Sequence, residues 1–341
     1  MVPNHAAAPS PSPTPPPAPA PAIVARGLVK DFDGFRAVDR IDLTVPAGSI
    51  FGILGPNGAG KTTTLRMLLG IIAPDAGHCA LLGNDRPLAV AREVGYLPEE
   101  RGLYPTMTAV EAIAFMGALR GLALAEGRRR ARALMERHGL GHALNRQIRQ
   151  LSKGMAQTVQ LLGTIVHRPR LIILDEPFSG LDALNQQKLE ALIRAQAEAG
   201  TTIIFSTHVI AHAERLCEQV AIIAGGRMPF AGSVDAARRR LRPRVRLETR
   251  AADGPWRAAL PPGTMPPGTM PTGRHWHFEL PEEGVEPLLQ ALIAGDAGIV
   301  SLSIERPGLH DAFIAIAGEA AAADLLRERD EEAGHGAEGR P

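Results

Sequence analysis

The residues able to do chemistry gather first at Gly55-Pro56-Asn57-Gly58-Ala59-Gly60-Lys61-Thr62. The pattern, Gly, four residues, then Gly-Lys-Thr, is that of a phosphate-binding loop. Its glycines let backbone N–H groups turn inward onto phosphate oxygens, and the helix behind adds partial positive charge at its N-terminus. Lys61 would reach the β- and γ-phosphates of a nucleotide, and Thr62 would hold Mg²⁺ through its hydroxyl. The motif is credible only between a strand and a helix. Ile50 to Leu54 is an apolar run of strand length, and Thr63 to Leu69 has helical apolar spacing. A Gly-rich turn with a chance lysine would require neither flank.

A second candidate lies at Leu171 to Leu174, an apolar strand that ends in Asp175-Glu176-Pro177. The C-terminal end of a strand is where an α/β sheet puts its chemistry. Asp175 can hold Mg²⁺ through water, and Glu176 is placed to orient and polarise an attacking water, the work of a general base. Two solvated acids at a strand end are the ordinary alternative, and the phosphate loop argues against it. Thr201 to Ser206 is another buried strand, with His208 just past its end. A lone His is usually structural; one at the edge of a third core strand is a fair candidate for a γ-phosphate contact. Leu151-Ser152-Lys153-Gly154-Met155 opens a helix that runs to about His167. Ser152 suits an N-cap. A Ser and a Gly at a helix start also form an anion site, though capping alone explains them. Phe32 precedes the Asp33-Gly34 turn and has the right chemistry to stack on a nucleotide base. An edge aromatic would look the same, and spacing does not choose between them.

The elements around these residues follow from pattern. Met1 to Ala22 is almost only Pro, Ala and Ser and is expected to be a disordered tail, inert more readily than a proline-motif ligand. Ile23 to Val29 and Ala37 to Val45 read as antiparallel edge strands joined at Asp33-Gly34. Gly77 to Leu82 and Arg92 to Leu97 read as short strands, and Pro98 to Gly102 as a loop. Thr108-Ala109-Val110-Glu111 is a capping box that starts a helix to about Leu119, with another from about Glu126 to His138. Ser179 to Asp182 is a turn before a helix to about Ala199, and Val220 to Ile223 and Pro229 to Ala231 form a closing hairpin around Gly225-Gly226. After Arg240 the composition shifts. Strands at Arg244 to Thr249, His275 to Leu280 and Ile299 to Ile304, with helices at Glu286 to Ala294 and Leu309 to Ile316, suggest a small α+β unit that lacks a catalytic constellation. Between the first two strands, Pro261 to Gly273 carries Pro-Pro-Gly-Thr-Met twice and reads as a mobile loop. A boundary near Leu241 predicts that the preceding part folds and binds nucleotide without the rest.

Composition sets bounds. The chain has 341 residues, enough for two domains. Basic and acidic residues number 37 and 36, so no global field favours nucleic acid or an anionic membrane. Arg128 to Arg130 and Arg238 to Arg240 read as solvated helix faces. Cys79 and Cys217 match no metal spacing and suit a reducing cytosol. No apolar run approaches a membrane span, and the N-terminus lacks the pattern of a signal peptide.

From Ile23 to Val234, these motifs resemble, in order, those of the ATP-binding subunit of an ABC transporter. Gly55 to Thr63, including Thr63, is similar to its Walker A, Leu151 to Met155 to its signature, and Leu171 to Glu176 to its Walker B. Ser179 to Asp182 is similar to its D-loop and His208 to its switch histidine. Phe32 falls where that family stacks an aromatic on adenine, and Glu99 falls in the Q-loop, where the family has Gln. The resemblance implies an α/β fold: a P-loop NTPase ABC cassette with a mixed core sheet, antiparallel edge strands and a helical subdomain, plus a small C-terminal α+β domain. It divides the chain into a tail at 1–22, a cassette at 23–240 with a helical subdomain at about 98–168, an accessory domain at 241–318 and a flexible tail at 319–341.

The resemblance also implies function. ATP and Mg²⁺ would be bound, with Thr62, Asp175 and Glu99 toward the metal, and Lys61, Glu176 and His208 catalytic. Two cassettes, as a homodimer, would pair head to tail, so that Ser152 and Gly154 bind the γ-phosphate in trans, and Asp182 would be a nucleotide-binding residue too. A separate integral membrane permease would be driven from the cytoplasmic face, and no nucleic acid is expected. Tyr96 to Tyr104 and Leu-Ser-Lys-Gly-Met look like the versions found in ABC-2-type exporters, including the sodium-efflux kind. Leu103, Tyr104, Pro105 and Met107, just after the Q-loop, are a candidate docking surface for that permease, unless they pack into the helical insert itself. Lys153, Met155 and Glu99 depart from the usual residues. The rival readings are a soluble ABC ATPase on the ribosome, a DNA-repair ATPase and a non-ABC kinase. The first usually carries two cassettes, the second needs long coiled coils between Lys61 and Leu151, and the third has no use for the signature.

Overall fold

The computed structural model describes residues 20–100, 102–261 and 274–318. The expected tails at 1–22 and 319–341 and the repeat loop at 261–273 therefore lie almost wholly outside the described residues, as does Arg101.

Ile23–Phe32 (β1) and Phe35–Val45 (β2) pair antiparallel through Asp33 and Gly34, which have φ of 47° and 86°. Two consecutive left-handed residues are what a tight hairpin between right-twisted strands requires. Ala76–Leu81 (β4) joins the other edge of β1, giving an antiparallel sheet in the order β2-β1-β4.

Ile50–Leu54 (β3) leads through the glycine loop into Lys61–Leu68 (α1). It lies in a six-stranded sheet with Val94–Leu97 (β5), Leu171–Leu174 (β6), Thr202–Thr207 (β7), Gln219–Ala224 (β8) and Arg227–Ser233 (β9). The order is β5-β6-β7-β3-β8-β9, parallel except for the β8-β9 hairpin. Ile172, Leu174, Ile203, Phe205, Val220 and Ile222 enter one core, whereas Leu171, Ile173, Ile204, Ala221 and Ile223 enter another. Side chains alternate across a strand, so a sheet buried on both faces reads as unbroken apolar runs. The parallel strands place their C-terminal ends together, and β3, β6 and β7 end at the phosphate loop, at Asp175-Glu176 and at His208.

Ala109–Leu119 (α2) begins with the expected box. Thr108 Oγ1 accepts from the Glu111 N–H at 3.3 Å, and Glu111 Oε2 accepts from the Thr108 N–H at 3.1 Å. Leu124–Arg137 (α3) and Lys153–Ile165 (α4) complete the helical insert. Ala183–Glu198 (α5) follows β6, Ile210–Leu216 (α6) follows β7, and Val234–Arg238 (α7) follows β9. Two details differ from the sequence reading. The strand expected from Arg92 starts only at Val94, because Pro87–Glu93 winds into a 3₁₀ segment with proline in its first turn. Helix α6 was not anticipated.

The C-terminal part forms a third sheet, Arg244–Thr249 (β10) between His275–Glu279 (β11) and Ile299–Glu305 (β12). Val285–Ala294 (α8) contributes Leu288 and Leu292 to the core of this unit, with Trp256 and Trp276 edge to face at 5.4 Å. The last helix, over 309–318, does not join that core. Leu309, Ala312 and Ile316 are buried in the first core of the cassette, and the Leu309 N–H donates to Glu214 on α6 at 2.9 Å. By packing, the end of the 241–318 segment thus returns to the cassette. The i, i+3, i+7 stripe requires a cover, and the cassette provides it.

Candidate nucleotide and hydrolysis site

Gly60 caps α1 at φ 99°, and a Cβ there would stand 2.4 Å from the Ala37 carbonyl oxygen. One on Gly55 would stand 2.4 Å from the Ile223 carbonyl oxygen. The loop can wrap this tightly only with glycine at both positions. Lys61 bends back inside it, donating to the Gly55 and Pro56 carbonyls at 2.9 and 3.0 Å. Its ammonium is 3.3 Å from Glu176 Oε1, and both side chains are almost fully buried.

Below the loop, Asp175 Oδ1 accepts from Thr62 Oγ1 at 3.1 Å and from Ser206 Oγ at 2.6 Å. The Ser206 hydroxyl in turn accepts from the Glu176 N–H at 3.0 Å. His208 Nδ1 lies 3.0 Å from Glu176 Oε2. Lys61, Thr62, Asp175, Glu176 and His208 are therefore one connected set. Ser206, which sequence reasoning treated only as a strand end, joins its two carboxylate residues. The available signal was a hydroxyl at the polar end of an apolar strand, two residues before His208.

The set borders a cleft of about 450 Å³ lined by Phe32, Phe35, Ala37, Asn57 to Thr63, Glu99 and Glu176. Phe32 and Phe35 are both exposed there, and Lys30 Nζ stands 5.5 Å from the centroid of the Phe32 ring. Phe35 was not anticipated; its position one residue past the hairpin was the clue. Glu99 is exposed at the rim.

Asp175 Oδ2 is buried without a hydrogen-bond partner among the described residues. A buried carboxylate oxygen left unsatisfied is costly, and with the Thr62 hydroxyl beside it the donor set is all oxygen. That suits magnesium, which takes one or two protein oxygens and completes its shell with phosphate and water. No cluster of three or more His, Cys, Asp or Glu able to cage a metal occurs among the described residues.

Ser152, Gly154 and Asp182 are not among the residues lining this cleft. Ser152 Oγ accepts from the Met155 N–H at 3.3 Å as the N-cap of α4. Asp182 caps α5, and both its oxygens are taken by Asn185, at 2.9 and 2.7 Å. The Asn185 N–H holds the Asp182 carboxyl below its ordinary range. A Cβ on Gly154 would meet the Asn185 side chain at 2.6 Å, and one on Gly180 would meet Lys153 Nζ at 2.6 Å. The signature stretch and the D-loop stretch thus form a second cluster.

The chain matches the ABC transporter family over residues 38–179. An ABC transporter ATP-binding protein of Bacillus subtilis is 32% identical over 84% of this chain and 95% of that protein. The daunorubicin/doxorubicin resistance ATP-binding protein of Streptomyces peucetius is 34% identical over 91% of this chain and 97% of that protein. Among solved structures, the ATP-binding subunit of an ABC transporter superposes with a TM-score of 0.59 at 32% identity, covering 64% of this chain and 92% of that one. The chain belongs to the ABC transporter ATP-binding proteins: it has the P-loop ABC cassette fold, binds ATP and hydrolyses it.

Proposed function

We propose that this subunit powers a separate membrane permease of the exporter type, two copies closing on ATP and reopening on hydrolysis. The observation that carries this reading is the separation of two clusters. One holds a complete set for hydrolysis, Lys61, Thr62, Asp175, Glu176 and His208, and the other presents Ser152 and Gly154 outside the cleft. A head-to-tail pair would bring the second cluster of one copy to the first of the other.

The geometry supports a role for each residue. The amides of Gly55 to Thr63 and the Lys61 ammonium hold the phosphates, while Phe32 stacks on the base. Asp175 Oδ2 and the Thr62 hydroxyl would hold Mg²⁺, and Glu99 would offer a further oxygen from the rim. A magnesium ion held there would supply positive charge to neutralise the phosphates. Glu176 accepts the proton of the attacking water as general base, and His208, on its Oε2, keeps the carboxylate turned toward the γ-phosphate. Ser152 and Gly154 close on the γ-phosphate in trans, with Asp182 holding α5 behind them.

No helix among the described residues is long and apolar enough to cross a membrane. The subunit then sits peripherally on the cytoplasmic face, through its partner. Relatives named for daunorubicin/doxorubicin resistance and for Nod factor export support the exporter reading. A solved relative from Clostridium perfringens, 26% identical with a TM-score of 0.57, is part of the cbiONQ transporter complex and supports a multi-subunit one. No observation favours a ribosome- or DNA-directed ATPase. Tyr104 is 56% exposed, edge to face with Phe115 at 5.8 Å, whereas Met107 packs inward. Photo-cross-linking from Tyr104 in native membranes tests the docking. Capture of a multi-span protein is expected; capture only of ribosomal protein or DNA would overturn it.

A further inference from the structure

Glu176 has φ 46°, a left-handed backbone that strains a long L side chain. Such a conformation persists only where the surroundings over-determine it. Ser206, Lys61 and His208 hold the residue itself. The turn that follows is held by the Ser179 N–H on the Glu176 carbonyl at 3.1 Å, by Gln157 Nε2 on the Pro177 carbonyl at 3.3 Å, and by ring contacts. That turn carries Phe178, whose buried ring is clasped on two sides. Phe205 meets it edge to face with centroids 5.8 Å apart, and His212 stacks on it with centroids 3.9 Å apart and planes 9° apart.

His212 is 2% exposed and lies on α6, the helix that begins just past His208. Its Nδ1 is 3.0 Å from Glu190 Oε1 on α5. Arg215 pairs with the same carboxylate, Nε to Oε1 at 3.1 Å, and its Nη2 is 3.0 Å from His212 Nδ1. Burial works to raise the Glu190 carboxyl, but hydrogen bonds from Arg215 and His212 outweigh it and hold the group below its ordinary value. Glu190 is thus an anion at neutral pH, a fixed anchor for the imidazole edge. A side chain present only to fill space would need no such partner, and one present only for an ion pair would need no parallel stack. His212 makes both contacts while buried, and helix α5, which supplies the anchor, is capped by Asp182.

We infer that His212 is a positioning residue for hydrolysis. Its ring face clamps Phe178, Glu190 sets its orientation, and the clamp keeps the turn after the strained Glu176, and with it the Glu176 carboxylate, in the attacking geometry. His212 is not among the residues that line the nucleotide cleft. The inference rests on the reading of Glu176 as general base.

The test is steady-state ATP hydrolysis by the full chain, normalised to nucleotide-binding sites. His212→Ala is expected to lower kcat roughly tenfold to a hundredfold, the effect of a misplaced catalytic group, with KM for ATP within about twofold. His212→Phe, which restores a stacked ring, should recover most of kcat. Phe178→Leu should match His212→Ala, and the double variant should lose little more, because neighbours in one contact are non-additive. A residue needed only for folding would lower stability without changing kcat per site. Wild-type kcat in His212→Ala, a KM rising in step with the loss, or His212→Phe as slow as His212→Ala would each overturn the clamp. If His212→Ala does not fold, Phe178→Leu and Glu190→Gln carry the same expectation and the same refutation. Glu176→Gln separates the two claims. Full turnover there removes the base assignment, whereas its loss there beside full turnover in His212→Ala removes only the clamp.

Discussion

Lys61 and Ser206 separate binding from metal use at the level of single residues. Lys61→Ala removes the one charge held inside the loop, so nucleotide binding itself should fail, read by titration with a fluorescent ATP analogue. Binding at wild-type strength would contradict the placement. Ser206→Ala should behave differently. It leaves the Glu176 N–H and Asp175 Oδ1 each short of a partner inside the protein, at a cost of about 1–3 kcal/mol. ATP should still bind, but half-maximal hydrolysis should require more Mg²⁺; an unchanged Mg²⁺ dependence would separate Ser206 from the metal site. Glu99→Gln should be mild, since Gln presents the same oxygen without the charge. The placement of Lys61, Thr62, Asp175, Glu176 and His208 was legible in sequence because each follows an apolar strand or opens a helix. Phe35, Ser206 and His212 were not, because their partners come from other strands and helices.

Helices show the same limit. Capping predicted Thr108 and Ser152 from local chemistry alone, and both caps are made. Alternation predicted the buried strands. Helix α6 escaped notice because seven residues hold too little of a helical period to be read. The helix over 309–318 was visible as a helix, but periodicity states which face is apolar, not what covers it. Its cover proves to be the cassette core. Leu309→Ala should therefore destabilise the cassette by about 2–5 kcal/mol in urea unfolding, and deletion beyond Leu241 should yield a less stable cassette rather than an indifferent one. Unchanged stability in both would return this helix to the C-terminal unit. The end of α4 carries a pH response. Burial lowers the His167 imidazole from 6.5 to about 4. A His whose folded pKa is depressed is bound neutral, so its contribution is full above pH 6.5 and declines as pH falls toward 4. His167→Gln should flatten the stability profile across that window; parallel profiles would refute it.

For the whole molecule the question is whether two copies share ATP. The connected set of Lys61, Thr62, Asp175, Glu176 and His208 borders the cleft, and the helix start from Ser152 to Gly154 lies outside it. Glu176→Gln, mixed with ATP and Mg²⁺ and weighed by light scattering alongside its hydrolysis rate, tests both halves of this account at once. The expected result is retained ATP binding, turnover lower by roughly 10²- to 10⁴-fold, and a doubled mass that collapses on adding Ser152→Ala or Gly154→Asp. Turnover at the wild-type rate, or a single-copy mass with ATP bound, would contradict it.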